Sequence, residues 1–166
     1  MNKKARAMLI GSIGTGKTSM TNALLGNKRE PLKTQTLSYN DWIVDTPGEY
    51  TENPMFYKTI MATSLEVTHV IFLQDATQAK CIFPPGFSMG ISKIAIGAVT
   101  KKDKEGADIA RAVSQLRQAM PTGPIIITSS YTNEGLHHIR SLVELPTFEA
   151  ISKYCMENSD NYLAEI

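Results

Sequence analysis

The sequence predicts an α/β fold, a mostly parallel six-stranded sheet flanked by helices. Short apolar runs alternate along the chain with segments whose apolar residues recur at helical spacing. Only one pair of runs is joined by a hairpin signal, so the remaining strands need crossover helices and run parallel. A glycine-rich stretch, GSIGTGKTS from Gly11 to Ser19, links the first run to the first helical segment.

The run Ala7 to Ile10 is apolar throughout and closed by Gly11, as expected of a strand buried on both faces. From Lys17 to Leu25, Met20, Ala23 and Leu24 have helical spacing, and Gly26-Asn27 supplies the stop. Leu37–Tyr39 and Trp42–Val44 flank Asn40-Asp41, a turn that tolerates positive φ, and this hairpin delivers Asp45 to a strand end before Pro47-Gly48 breaks the pattern. A helix is expected over Phe56 to Leu65 and a strand over Thr68 to Leu73. The Gly- and Pro-rich stretch Ala76 to Ser92 reads as loop. Strands follow over Lys93–Val99 and Ile125–Thr128. Helices are expected over Asp108–Met120, where Ile109, Ala112, Val113, Leu116 and Met120 share a face, and over Leu136–Val143. Pro146 divides a domain of residues 1–145 from a C-terminal extension, 146–166, in which Thr147 to Glu157 can form a helix and the polar tail can fray.

Composition limits the function classes. The chain has 166 residues, of which 42% are hydrophobic, enough for one domain with a real core. Lys+Arg number 17 and Asp+Glu 16, so there is no global electrostatic footprint for nucleic acid. No apolar run is long enough to span a membrane. Cys81 and Cys155 form no CxxC pair, and a reduced, cytoplasmic setting is the simplest expectation. His69, His137 and His138 show no zinc-ligand spacing with the cysteines.

Gly11-x-x-x-x-Gly16-Lys17-Thr18 satisfies the phosphate-loop pattern and lies where that pattern must lie, between a strand and a helix. The N–H groups of Gly11, Ile13, Gly14, Thr15, Gly16, Lys17, Thr18 and Ser19 are candidates to cradle phosphates at a helix N-terminus. Lys17 can reach the terminal phosphates, and the Thr18 hydroxyl can ligate Mg2+. Asp45 in DTPG is the candidate carboxylate for the Mg2+ shell, and the Gly48 N–H a candidate contact for a γ-phosphate oxygen. Thr100-Lys101-Lys102-Asp103 closes another strand. An ionised carboxylate at Asp103 accepts from both N1–H and the N2 amino group of guanine, whereas adenine offers an acceptor there, so GTP/GDP is favoured. The Lys101 stem can lie over the base and its head can return toward the phosphate loop. Ser129 and Ser130 end the next strand, where a backbone N–H can meet the guanine oxygen.

In this order, the phosphate loop, DTPG, TKKD and TSS resemble the small P-loop GTPase superfamily, with its Ras-like domain, from Arg6 to Val143. KTQT (Lys33 to Thr36), DTPGEY with Glu52-Asn53, and the loop from Phe83 to Phe87 look like the EutP/PduV family of ethanolamine- and propanediol-utilisation proteins. That resemblance implies a GTP-binding fold and a connection with bacterial microcompartments, through a shell or enzyme partner. Thr34 and Thr36 can each supply the threonine that closes over Mg2+; Thr34 is preferred.

Departures from the superfamily bear on rate. Glu49 stands where fast relatives carry a water-orienting glutamine; it could act as a base, or be a switch residue facing solvent. Ile13 should crowd an inserted arginine finger, so no ordinary activator of that kind is expected. Gly14 replaces the asparagine of potassium-activated relatives. The expectation is a GTP-binding switch or assembly factor with slow Mg2+-dependent hydrolysis, with Lys17, Thr34 and Glu49 as catalytic candidates and Thr18, Thr34 and Asp45 as metal ligands. The alternatives are an ATP-dependent kinase of a small metabolite, for example acetate, and a docking module that uses nucleotide structurally, with the N-terminal basic residues and the tail from Tyr154 as docking elements.

Overall fold

The computed structural model describes residues 4–27 and 35–165. It contains a seven-stranded sheet in the order β2-β3-β1-β4-β5-β6-β7. The strands are β1 (Ala7–Ile10), β2 (Ser38–Asn40), β3 (Ile43–Asp45), β4 (His69–Asp75), β5 (Ile94–Thr100), β6 (Ile125–Ile127) and β7 (Leu163–Glu165). The helices are α1 (Lys17–Leu25), α2 (Glu49–Glu52), α3 (Tyr57–Ser64), α4 (Ile109–Ala119), α5 (Leu136–Val143) and α6 (Phe148–Glu157). β3, β1, β4, β5 and β6 are parallel, and β2 and β7 pair antiparallel at the two edges.

Continuous apolar runs form the central strands because both faces are covered. Successive residues of a strand point to opposite faces, so β1 sends Met8 and Ile10 into one core and Ala7 and Leu9 into the other. The first core includes Phe72, Ile60 of α3 and Leu116 of α4; the second includes Met20 of α1, Ile139 of α5 and Ile151 of α6. The Gly- and Pro-rich stretch is irregular apart from a 3-10 turn at Phe87–Gly90, as expected, yet it is anchored. Phe83 and Phe87 pack on Phe72 at ring-centroid distances of 5.1 and 6.2 Å, and Phe87 meets the Tyr57 ring edge-on at 5.1 Å.

Two elements exceed the sequence expectation. α2 follows Pro47-Gly48, which reads as a break, and is too short to show periodicity. β7 supplies the seventh strand from the polar tail, and Ile127 N–H bonds Tyr162 O at 2.7 Å beside it. The expected helix from Phe56 starts as a 3-10 turn at Pro54–Phe56, where the Asn53 side chain caps the Met55 N–H at 3.0 Å.

The order β3-β1-β4 places successive connections on opposite sides of β1. Ligands in open parallel sheets bind beyond the carboxyl ends of strands where that reversal occurs, and GSIGTGKTS follows β1 at that point.

Candidate nucleotide site

The loop after β1 is built by close approaches. A Cβ on Gly11 would lie 2.8 Å from Thr15 Oγ1 and 3.1 Å from Leu73 O, so the loop can turn this tightly only with glycine there. Gly14 and Gly16 have φ of 80° and 101°, the left-handed region that glycine enters without strain. Thr15 N–H and Oγ1–H both reach Ser12 O, at 3.2 and 2.9 Å.

Lys17 opens α1 and is buried. Its Nζ donates to Gly11 O and Ser12 O, each at 2.9 Å, and so folds back beneath the loop. Burial lowers its pKa from 10.5 to about 8, against the opposing pull of the Asp45 and Glu52 carboxylates. The lysine is therefore poised to gain an anionic partner. Next to it, Thr18 Oγ1–H donates to Asp45 Oδ2 at 2.8 Å. A hydroxyl and a carboxylate from two elements thus converge, an oxygen-only donor pair of the kind Mg2+ takes.

The second loop is tied directly to the first. Thr100 Oγ1–H donates to Thr15 O at 2.7 Å, and Lys101 Nζ–H donates to Gly14 O at 2.6 Å while pairing with Asp75 Oδ2 at 2.7 Å. The head of Lys101 therefore does return to the phosphate loop, and its backbone is left-handed, with φ of 62°. Asp103 Oδ1 accepts from Ser129 Oγ–H at 2.8 Å, which orients the carboxylate. Between the two loops lies a cavity of about 760 Å³, lined among others by Gly16, Ser19, Lys101, Asp103, Ser130 and Tyr131. Of these, Tyr131 is a lining residue that the sequence reading missed; its place one residue after TSS is the signal that could have found it.

The other end of the phosphate loop is covered by the chain itself. Gly48 presses against the loop so closely that a Cβ there would lie 2.5 Å from Ile13 N. From Gly48 begins α2, and its last turn returns to the loop: Thr51 Oγ1 accepts the Gly11 N–H at 3.2 Å, and Glu52 Oε1 accepts the Ile13 N–H at 3.0 Å. Glu49 is exposed, and Glu52 is the carboxylate that reaches the loop. Sequence reasoning missed this role of Glu52, because it depends on a four-residue helix bringing position 52 back to position 13. Thr34 lies outside the described residues, and Thr36 is exposed in the segment before β2. Ile13 is 44% exposed at the mouth of the loop.

A Gly-Lys-Thr loop between a parallel strand and a helix, laced to a second loop that carries Lys101 and Asp103, gives the chain the fold of a P-loop GTPase domain. A solved structure supports that fold: a variant of Aquifex aeolicus Era bound to GDP.AlF4- matches with a TM-score of 0.59 and 18% identity over 86% of this chain, which spans 56% of the Era chain. Residues 4–145 match the family described as ethanolamine utilisation - propanediol utilisation, PduV-EutP, and the chain belongs to that family. It is 32% identical over 136 residues to "Probable acetate kinase EutP" of Escherichia coli K12, covering 81% of this chain and 86% of the relative. Identity to the protein of the same name from Salmonella typhimurium LT2 is 36% over 107 residues, 63% of this chain and 67% of the relative. Against "Propanediol utilization protein PduV" of Citrobacter freundii it is 31% over 131 residues, 79% and 87%. Among the described residues no helix is long and apolar enough to cross a membrane.

Proposed function

We propose that this chain is a GTP- and GDP-binding protein with slow Mg2+-dependent GTP hydrolysis, acting as a switch or assembly factor in ethanolamine or propanediol utilisation, at a microcompartment through a shell or enzyme partner. The observation that carries the nucleotide reading is the single groove that joins Gly16 and Ser19 to Lys101, Asp103 and Ser130. In this reading the Asp103 carboxylate takes the guanine N1–H and N2 amino protons, Ser129 and Ser130 frame the guanine oxygen, and the Lys101 stem covers the base. The loop N–H groups hold the phosphates, with Lys17 turning from the Gly11 and Ser12 carbonyls toward them. Thr18 and Asp45 would hold Mg2+, which when bound neutralises charge on the phosphates. In hydrolysis a water oxygen bonds to the γ-phosphorus, the β–γ bridging bond breaks, and GDP leaves. Slow hydrolysis is the expectation in this reading, because Glu49 is exposed and the exposed Ile13 side chain would crowd an inserted arginine finger.

In this reading the γ-phosphate end of the loop is covered by the chain itself, because the Ile13 N–H donates to the Glu52 carboxylate. GTP entry in this reading displaces Glu52 and carries α2 with it, so the DTPGEYTEN segment reports the presence of the γ-phosphate. GDP needs no such displacement.

The names of the two EutP relatives favour a second reading, in which the γ-phosphoryl group passes to a carboxylate such as acetate. There the acceptor oxygen replaces water as nucleophile and the nucleoside diphosphate still departs. One experiment separates the readings: affinities for GTP, GDP and ATP with and without Mg2+, followed by turnover of each triphosphate with and without acetate. Mg2+-dependent preference for guanine nucleotides and slow acetate-independent hydrolysis support the switch. Acetyl phosphate formed from ATP at rates far above hydrolysis overturns it in favour of the kinase.

A further inference from the structure

Where α5 meets the C-terminal segment, a cluster of side chains takes no part in the nucleotide site. His137 and His138 are consecutive residues of α5, and Asp160 lies in the turn between α6 and β7. His138 is buried; its Nδ1 is hydrogen-bonded with Tyr154 Oη at 2.8 Å and its Nε2 with Asp160 Oδ2 at 2.8 Å. The His137 ring lies beside it, centroids 4.1 Å apart, with its Nε2 3.6 Å from the same Oδ2.

We infer that His137, His138 and Asp160 form a binding site for one divalent first-row transition ion of the Zn2+ type. A structural His138–Asp160 pair accounts for His138 alone. It leaves unexplained why a second imidazole nitrogen converges on the same oxygen at a distance too long for a hydrogen bond. A metal accounts for both. The three ligand atoms lie within 4.8 Å of one another. Ions bound at about 2.0–2.2 Å hold tetrahedral ligands roughly 3.3–3.6 Å apart. The His137 to Asp160 distance already meets that spacing, and the 2.8 Å His138 to Asp160 contact would open by about 0.5–0.8 Å when an ion takes the place of the proton between them.

The surroundings orient the donors as a metal site requires. The Tyr154 hydroxyl holds the far nitrogen of His138, fixing Nε2 toward Asp160. Asp160 Oδ1 accepts the Tyr162 and Leu163 N–H groups at 2.9 and 3.2 Å, leaving Oδ2 for the rings. The side chains of His137 and Asp160 are 56% and 37% exposed, so water can complete the coordination sphere. Two imidazoles and one carboxylate suit Zn2+, Co2+, Ni2+ or Cu2+, whereas Mg2+ prefers oxygen alone. An ion here ties α5 to the turn that leads into β7, and so fastens the edge strand against β6.

The test uses the full chain, without a polyhistidine tag and stripped with chelator, titrated with Zn2+ in the presence of excess Mg2+. One Zn2+ should bind, raise the melting temperature and protect the C-terminal strand from carboxypeptidase. His137→Ala, an exposed substitution, should leave the metal-free melting temperature unchanged and weaken Zn2+ binding by at least about tenfold. Asp160→Asn should weaken it likewise. Zn2+ binding by His137→Ala within a few-fold of the wild-type value, or no Zn2+ binding by the wild type, overturns the assignment.

Discussion

The contact between Glu52 and the phosphate loop makes the strongest prediction, because it should act on one nucleotide and not on the other. Glu52 Oε1 accepts the Ile13 N–H at 3.0 Å, and its charge acts on Lys17. Hydrogen bonds to a charged group contribute about 1.5–3 kcal/mol. The Glu52 side chain is exposed, so solvent screening takes the contact to the lower limit of that range or below it, about 1–1.5 kcal/mol. If GTP must break this contact and GDP need not, Glu52→Ala should strengthen GTP binding by roughly 5- to 12-fold and leave GDP within about twofold. Glu52→Gln, which keeps an acceptor without the charge, should fall between. The assay is competition with a fluorescent guanine nucleotide at pH 7 and saturating Mg2+, using a non-hydrolysable GTP analogue. Equal shifts for GTP and GDP, or weaker GTP binding, would refute the reasoning, since either means that Glu52 does not hold the γ-phosphate position.

Lys17→Met should abolish tight nucleotide binding yet raise the melting temperature of the free protein at pH 7, because the charged lysine is held at a cost: a fall from 10.5 to about 8 corresponds to about 3 kcal/mol. The sign of the pH dependence follows, since a folded pKa below the unfolded one gives stability that is full above about pH 10.5 and is lost as pH falls toward 8, and urea titrations of the free wild type against Lys17→Met should show that slope only in the wild type. Phosphate favours the protonated lysine, so GTP affinity should decline above pH 8 and binding there should take up a proton, measurable as a buffer-dependent calorimetric enthalpy. Asp103→Asn should weaken GTP and GDP by about 10- to 100-fold while leaving ATP little changed, through loss of a charged acceptor. Gly48→Ala should cost about 1–3 kcal/mol in urea denaturation, because its Cβ would lie 2.5 Å from the Ile13 backbone nitrogen and one element must move.

How much of this could be read in advance depended on whether a feature is local in the chain. The central strands and long helices are periodic over many residues, and the phosphate loop, DTPG and TKKD each place their chemistry within a few positions, so their elements and approximate ends were legible. α2 and β7 were not, because four and three residues show no period, and each is held by distant partners: α2 by the phosphate loop, β7 by β6. Asp75 illustrates the same limit. In the sequence it is a polar residue ending an apolar run, yet in the fold it is buried, pairs with Lys101 and caps the Thr77 N–H at 2.8 Å. No spacing rule couples position 75 to position 101; the pairing of Asp75 with Thr100 across β4 and β5 does.

The same dependence on tertiary contact separates the two ends of the groove. At the end that carries Asp103, the Thr100, Lys101 and Asp103 side chains are held by hydrogen bonds to Thr15 O, Gly14 O and Ser129 Oγ. Those groups are positioned before any ligand arrives, and a preorganised site loses less entropy on binding. At the phosphate end, Lys17 and the Ile13 N–H are held by the loop carbonyls and Glu52, which a ligand must replace. Under the proposed function, selection of the base falls to the half whose side chains already have their partners, and sensing of the terminal phosphate to the half whose partners a ligand would exchange. A substitution at Asp103 should therefore change which nucleotide binds without altering the GTP-to-GDP ratio, whereas one at Glu52 should change that ratio without altering the choice of base.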